Sequence, residues 1–157
     1  MDFSATGEAV WARLGYGGFY QAWTRDGATG GVDSGDWQEI ASIDGVENLT
    51  GSPYDDDLAG DGNANRLNGL AGNDWMEGRG GADVFVFEPG ADSDVIADWQ
   101  DGLDTLDLTA FNFASFDAVE DDATTVDGDL EISLGTDAFV EILGFSKSNF
   151  DDTDVVV

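Results

Sequence analysis

Four nine-residue units follow one another without a gap: GSPYDDDLA (51–59), GDGNANRLN (60–68), GLAGNDWME (69–77) and GRGGADVFV (78–86). Each opens with Gly, carries Asp or Asn at position six (Asp56, Asn65, Asp74, Asp83) and has an apolar residue at position eight (Leu58, Leu67, Met76, Phe85). A repeat this short leaves room for a Gly-rich turn and a very short strand that points one side chain inward. No single unit buries its apolar residue unaided, so successive units must stack on one another. If two units make one coil, about eighteen residues bring the chain back above itself at roughly the 4.8 Å spacing of a parallel sheet. The fold class expected is all-β, a parallel β-roll.

In such a roll the position-six residues stack in two columns. Extending the period beyond the repeats places Asp56, Asp74 and Asp92 in one column and Glu47, Asn65, Asp83 and Asp101 in the other. Carboxylates stacked that closely repel by several kcal/mol at low effective dielectric unless a cation lies between them. Calcium is the expected ion, and several of them. It takes about six or more hard oxygen ligands in flexible geometry, and Gly-rich turns expose backbone carbonyls, which the strict octahedron of Mg²⁺ accepts poorly. Gly51, Gly60, Gly69 and Gly78 at position one, and Gly72 and Gly81 at position four, permit positive φ and close backbone approach. Tyr54 and Asn63 replace the fourth-position Gly, and Ser52, Asp61, Leu70 and Arg79 stand at position two, so the last two turns are nearest the ideal pattern. Asn65 offers one neutral oxygen in place of a carboxylate, which predicts a weaker site.

The 157 residues include 34 acidic and only 5 basic side chains, a net charge of −29. Charge of that size destabilises the compact state, so folding is expected to need counter-ions. Nucleic acid and anionic bilayers are poor partners for a chain without a basic patch. A hydrophobic content of 41%, with 5 Trp and 10 Phe, argues that the chain folds once its charge is neutralised. The absence of Cys removes thiolate metal sites, and the absence of His removes Ser-His-Asp and Cys-His catalysis and the usual zinc sites. Because Asp56, Asp74 and Asp83 recur with the turn period, metal ligation explains them better than a glycosidase carboxylate pair does. No apolar run reaches membrane-spanning length, so no membrane insertion is expected, and MDFSATGEAV lacks the regions of a Sec signal peptide.

Outside the repeats, residues 1–50 read as irregular strands (VWARL, GGFYQAW and the segment 33–49), and residues 87–157 as a closing segment with a cap. Together with the repeats at 51–86 they are expected to form a single domain, 1–157. FASFDAVEDD (113–122) suits one short helix. DLEISL (129–134) and AFVEIL (138–143) alternate cleanly around GTD and predict an antiparallel capping hairpin. Trp11, Tyr16, Tyr20, Trp23 and Trp37 offer an alternative role, a sugar-stacking face on a calcium-dependent glycan- or surface-binding module.

From GVENLTGSPYDD onward the chain resembles the RTX, or hemolysin-type, region at the C-terminus of serralysin-like and other type I-secreted bacterial proteins. The resemblance implies calcium held between successive coils by position-six side chains and turn carbonyls. Carried onto this sequence, the implied metal positions are Glu47, Gly51, Pro53, Asp55, Asp56, Gly60, Gly62, Asn65, Gly69, Ala71, Gly72, Asn73, Asp74, Gly78, Gly80, Gly81, Asp83, Asp92 and Asp94. It also implies a secreted, extracellular location and an uncleaved signal for a type I secretion apparatus at Asp154 to Val157, whose removal should barely affect folding. The H-E-x-x-H zinc motif of the metallopeptidases is absent, so the chain is expected to be a non-catalytic part of such a protein, or a small free-standing one.

Overall fold

The computed structural model describes residues 1–5, 7, 9–16, 19–25, 37–42, 46–135 and 138–157, with side chains at all of these except 15–16, 19–25 and 37–42. It is an all-β roll. Each nonapeptide ends in a three-residue strand: β5 (Asp57–Ala59), β6 (Arg66–Asn68), β7 (Trp75–Glu77) and β8 (Val84–Val86). β4 (Asn48–Thr50) precedes them, and β9 (Ser93–Ile96) and β10 (Thr105–Asp107) follow.

Alternate strands fall in opposite parallel sheets, as a coil of two units requires. β5, β7 and β9 pair in one sheet, and β4, β6, β8 and β10 in the other. The register aligns Leu58 with Met76 and Met76 with Ile96, while Leu49, Leu67, Phe85 and Leu106 align across the roll. All seven are buried, and they form the spine of the hydrophobic core. Successive side chains in a strand alternate faces, so only the central residue of three points inward and a three-residue strand suffices.

Antiparallel elements close both ends. At the first end β1 (Val10–Tyr16) pairs parallel with β5, then turns into an antiparallel run with β2 (Phe19–Arg25) and β3 (Trp37–Ser42). At the other end β13 (Phe139–Ile142) adds parallel to β9, and β12 (Asp129–Ser133) pairs antiparallel with it, as the alternation predicts. Residues 136–137 of the hairpin turn lie outside the described residues. A further strand, β11 (Ala123–Val126), extends this sheet, and the short helix α1 (Phe116–Asp121) buries Val119 beneath it. Trp99 stacks between Phe85 of the roll and Phe145 of the cap, with ring centroids 6.0 and 5.8 Å away. No described helix is long and apolar enough to cross a membrane.

The extreme C-terminus is part of the fold. Val155 and Val156 form β14, parallel to β10 at the edge of the five-stranded sheet. Leu106 and Leu108 donate their N–H groups to the carbonyls of Asp154 and Val156 at 2.8 and 2.9 Å. Asp154 and Val155 are buried, so this segment packs as an edge strand of the roll.

Truncation at the spine should therefore be costly and truncation at the edge cheap. Leu67→Ala is expected to remove about 2–5 kcal/mol of stability in calcium, against roughly 0.5 kcal/mol or less for the half-exposed Val156→Ala, read from urea unfolding midpoints.

Candidate metal centre

Each nonapeptide turn must bring the chain from one sheet to the other in six residues, which leaves backbone N–H groups at the corner without a sheet partner. The position-six side chains supply the missing acceptor. Asp56 N donates to Asp74 Oδ1 at 2.8 Å and Asp74 N to Asp94 Oδ1 at 2.9 Å. On the opposite side Asn65 N donates to Asp83 Oδ1 at 2.8 Å, and Asp83 N to Asp104 Oδ1 at 3.0 Å. Val10 N completes the first column by donating to Asp56 Oδ1 at 2.5 Å. These acidic side chains point into the roll and are buried.

The second oxygen of each carboxylate is left for something else. Asp56 Oδ2 accepts Ser52 N at 2.5 Å, but Asp74 Oδ2 and Asp83 Oδ2 are buried with no hydrogen-bond partner. Both lie against a position-one glycine. A Cβ on Gly69 would sit 1.9 Å from Asp74 Oδ2, and one on Gly78 would sit 2.4 Å from Asp83 Oδ2. Turn carbonyls enter the equivalent spaces at Gly51 and Gly60. The Cβ position of Gly51 is 2.3 Å from Asp56 Oδ2 and 2.7 Å from the Gly69 carbonyl, and that of Gly60 is 2.2 Å from Asn65 Oδ1 and 2.6 Å from the Gly78 carbonyl. Position one must be Gly because a side chain there would fill the gap where oxygens of adjacent turns converge.

The position-four glycines serve packing. Gly72 and Gly81 have φ of +108° and +121°, and a Cβ on either would lie 2.5–2.8 Å from the backbone of residues 54–55 or 63–64 one coil earlier. Leu70 and Arg79 at position two also have positive φ, at 81° and 70°, a conformation that costs an L-residue roughly 1–2 kcal/mol. These are the two turns closest to the ideal pattern, so the strain sits where the pattern itself calls for Gly.

Burial dominates the electrostatics. It pushes the Asp74 carboxyl up to about 8, with Asp94, Asp56 and Asp55 adding like-charge repulsion against one backbone hydrogen bond. Burial likewise raises Asp94 to about 7, and Asp56 and Asp83 to about 6. Among the described residues no three acidic side chains are gathered as a ready-made metal cluster. A cation here would take most of its oxygens from backbone carbonyls, which suits calcium. The donor set therefore fits calcium: orphaned buried oxygens on Asp74 and Asp83, turn carbonyls beside Asp56 and Asn65, and glycine-lined space at each position.

The structure corrects the extension of both columns. Asp92 is exposed, and the residue that receives Asp74 N is Asp94, twenty residues on. Asp101 is exposed too, and its place is taken by Asp104, twenty-one residues from Asp83. The two linking turns are longer than a repeat. The signal that identifies them is the D-x-apolar triplet: Asp94 precedes Val95 and the buried Ile96, Asp104 precedes Thr105 and the buried Leu106, whereas Leu103 after Asp101 is exposed. Glu47 also stands apart. Its side chain is exposed, and only its carbonyl meets the column, accepting Asn65 Nδ2 at 3.2 Å.

Pro53, Asp55, Gly62 and Asn73 lie exposed at the loop tips, and Ala71 and Gly80 are half-buried. Asp55 Oδ1 accepts Asn73 N at 2.8 Å, an outer rung parallel to the buried ladder. Asp98 also belongs to the site, since its carboxylate receives Gly78 N and Arg79 N, each at 2.8 Å. Among the five aromatics considered for sugar stacking, only the Trp11 side chain is described; it is half-buried under the Arg13 guanidinium, 5.2 Å from the ring centroid. Tyr16, Tyr20, Trp23 and Trp37 have side chains outside the described residues.

Comparison with known proteins agrees with this geometry. The family model of the RTX calcium-binding nonapeptide repeat matches residues 43–74, 50–85 and 59–96. Among solved structures, the extracellular lipase LipA from Serratia marcescens is similar over 87% of this chain, with a TM-score of 0.55 and 18% identity, which speaks for the fold. This chain spans 29% of the length of that lipase. A search of curated proteins returned no match.

Two outcomes follow. The carboxyls raised by burial bind protons more tightly folded than unfolded, so without calcium their contribution to stability is present below about pH 4 and is lost as pH rises toward 8. Unfolding midpoints in EGTA should fall from pH 4.5 to pH 8 (about 4.5 and about 8), while calcium affinity rises over the same window as protons cease to compete. Separately, Gly69→Ala should cost on the order of 2 kcal/mol or more and weaken calcium binding, because its Cβ meets Asp74, whereas Gly80→Ala, whose nearest neighbour is 3.9 Å away, should be nearly neutral.

Proposed function

We propose that this chain, whose residues 43–96 match the RTX calcium-binding nonapeptide repeat, is a calcium-loaded β-roll module that folds on meeting calcium outside the cell and serves a larger secreted protein as a non-catalytic part. Residues 1–157 act as one folding unit in this reading, and the C-terminal segment engages a type I secretion apparatus before folding. The observation that carries it is the pair of buried, unpartnered oxygens, Asp74 Oδ2 and Asp83 Oδ2, set beside glycines that leave room for an ion. Asp74 and Asp83 face those spaces, and in the neighbouring spaces beside Gly51 and Gly60 the carbonyls of Gly69 and Gly78 meet Asp56 Oδ2 and Asn65 Oδ1.

The energetic logic is conditional stability. With calcium scarce, several buried carboxylates must either take up protons or repel, and a chain of net charge −29 favours the expanded state. At a few millimolar calcium and site Kd values of about 0.1–1 mM, each ion contributes on the order of 1–2 kcal/mol by mass action, and several together decide the fold. Folding only after export suits passage through a narrow channel. No observation favours the glycan-binding alternative over this reading.

The test is a calcium titration followed by far-UV circular dichroism and Trp fluorescence. Both signals should change cooperatively, reverse with EGTA and fail to respond to equal Mg²⁺; identical spectra in EGTA and calcium would overturn the reading. Asp74→Asn sharpens it. The amide keeps an acceptor for Asp56 N but removes the buried charge, so at pH 8 (about 8) the calcium-free variant should be more stable than the parent and its calcium response weaker.

A further inference from the structure

We infer that the guanidinium of Arg79 is a built-in cation that takes the place of a calcium ion at the first end of the Asn65–Asp83 column, an inference that rests on the calcium-binding reading above. Parallel pairing sets Arg13 beside Ala59 and Ala59 beside Glu77, so the residues that follow, Leu14, Gly60 and Gly78, form one row of backbone carbonyls at the sheet corner. The lower step of that row is the calcium-type space, where the Gly78 carbonyl and Asn65 Oδ1 converge beside Gly60. One step up, the equivalent carbonyl is that of Gly60. Arg79 Nη1 donates to it at 2.7 Å, and also donates to the carbonyl of Leu14. The carboxylate of Glu77 lies 3.9 Å from Arg79 Nε.

Two further observations support the substitution. The repeat period assigns Glu47 as the position-six partner at this step, yet the Glu47 side chain is exposed, because β1 occupies the place of a preceding coil. Among the described residues this step therefore has no position-six side chain and offers the Glu77 carboxylate and the turn carbonyls, and a permanent positive charge supplies there what a metal otherwise would. Arg79 also holds its backbone at φ 70°, in the position where the ideal repeat has Gly. Leu70 shares that conformation at φ 81° in the preceding turn, so the turn sets the backbone and the side chain is what distinguishes Arg79. Its main-chain N–H donates to Asp98 at 2.8 Å, which anchors the base of the arm.

The experiment compares wild type, Arg79→Gly, Arg79→Gln and Arg79→Lys, each folded in calcium, by counting bound ions with native mass spectrometry and by titrating folding with calcium. Arg79→Gly relieves the positive φ, and Arg79→Gln keeps a long polar side chain without charge. Both should take up one more calcium ion per chain than wild type, with a calcium midpoint raised roughly two- to fivefold because one more ion must come from solution. Arg79→Lys, which keeps the charge, should retain the wild-type count. If either neutral variant folds with the wild-type ion count, whatever its midpoint, Arg79 is a packing residue and the inference falls; should the glycine variant not fold, the glutamine variant decides. Failure of the calcium reading is a different result, since then wild type itself would carry no ions.

Discussion

The acceptance of a backbone N–H by a buried carboxylate one coil further along is the interaction on which this roll depends. Strands of three residues give each coil only a few sheet hydrogen bonds, and the turn between them would bury unpaired donors at a cost of about 1–3 kcal/mol each. Asp74, Asp83, Asp94 and Asp104 carry the ladder around the corners. That role requires only an acceptor. Any uncharged oxygen could serve; Asn65 itself uses Oδ1 within its own turn, accepting Asp61 N at 2.7 Å, and reaches the preceding coil by donating Nδ2 to the Glu47 carbonyl. Aspartate at the other positions brings a second oxygen and a negative charge into a desolvated space, which destabilises the fold unless a proton or a cation meets it. The preference for Asp is explained by the ion and not by the ladder.

Protons and calcium compete for the same oxygens, and the protein's behaviour depends on which is available. Near neutrality the burial that lifts Asp74 to about 8 favours protonation of the empty site. A bound ion holds the carboxylate charged and reverses that preference, so the metal both stabilises the roll and releases protons. The few basic side chains are already engaged: Arg13 with Asp57 at 2.9 Å, Arg66 with Asp107 at 2.8 Å, and Lys147 with the carbonyls of Glu120 and Ala123 near the end of α1. These pairs sit at or near the surface, where each is worth about 1 kcal/mol or less. They cannot offset the buried charge.

The roll itself was legible because its two requirements are both periodic: an inward apolar residue at position eight and an inward oxygen at position six. Leu58, Leu67, Met76 and Phe85 all reach the core as the period demands. The columns lost register beyond Val86 because the period counts residues whereas the physics counts coils. A turn can lengthen by two or three residues and still deliver the next D-x-apolar triplet to the same place, as Asp94 and Asp104 show. β11 was missed because Ala123–Val126 is mostly exposed and has no alternation to reveal it. β14 is a different case: two valines at a chain end carry no period, so the sequence suits an edge strand as readily as a signal, and the free edge of β10 receives them as a strand.

The ends of the roll show what its interior cannot. Every coil in the middle receives N–H donors from the coil before and offers its own to the coil after, so neighbouring coils are stabilised jointly and a lone coil is not. A terminal coil lacks one neighbour and must find substitutes. On the Asp56 side the substitute is the Val10 N–H, which fills the open lone pair of the first carboxylate. On the Asn65 side there is a neutral amide in place of the carboxylate and a guanidinium on the outer carbonyls. Both devices come from outside the repeats or from a break in their pattern, and neither depends on dissolved calcium. Among the described residues, protein groups meet the open positions at this end, while the unpartnered Asp74 Oδ2 and Asp83 Oδ2 lie in the coils behind it.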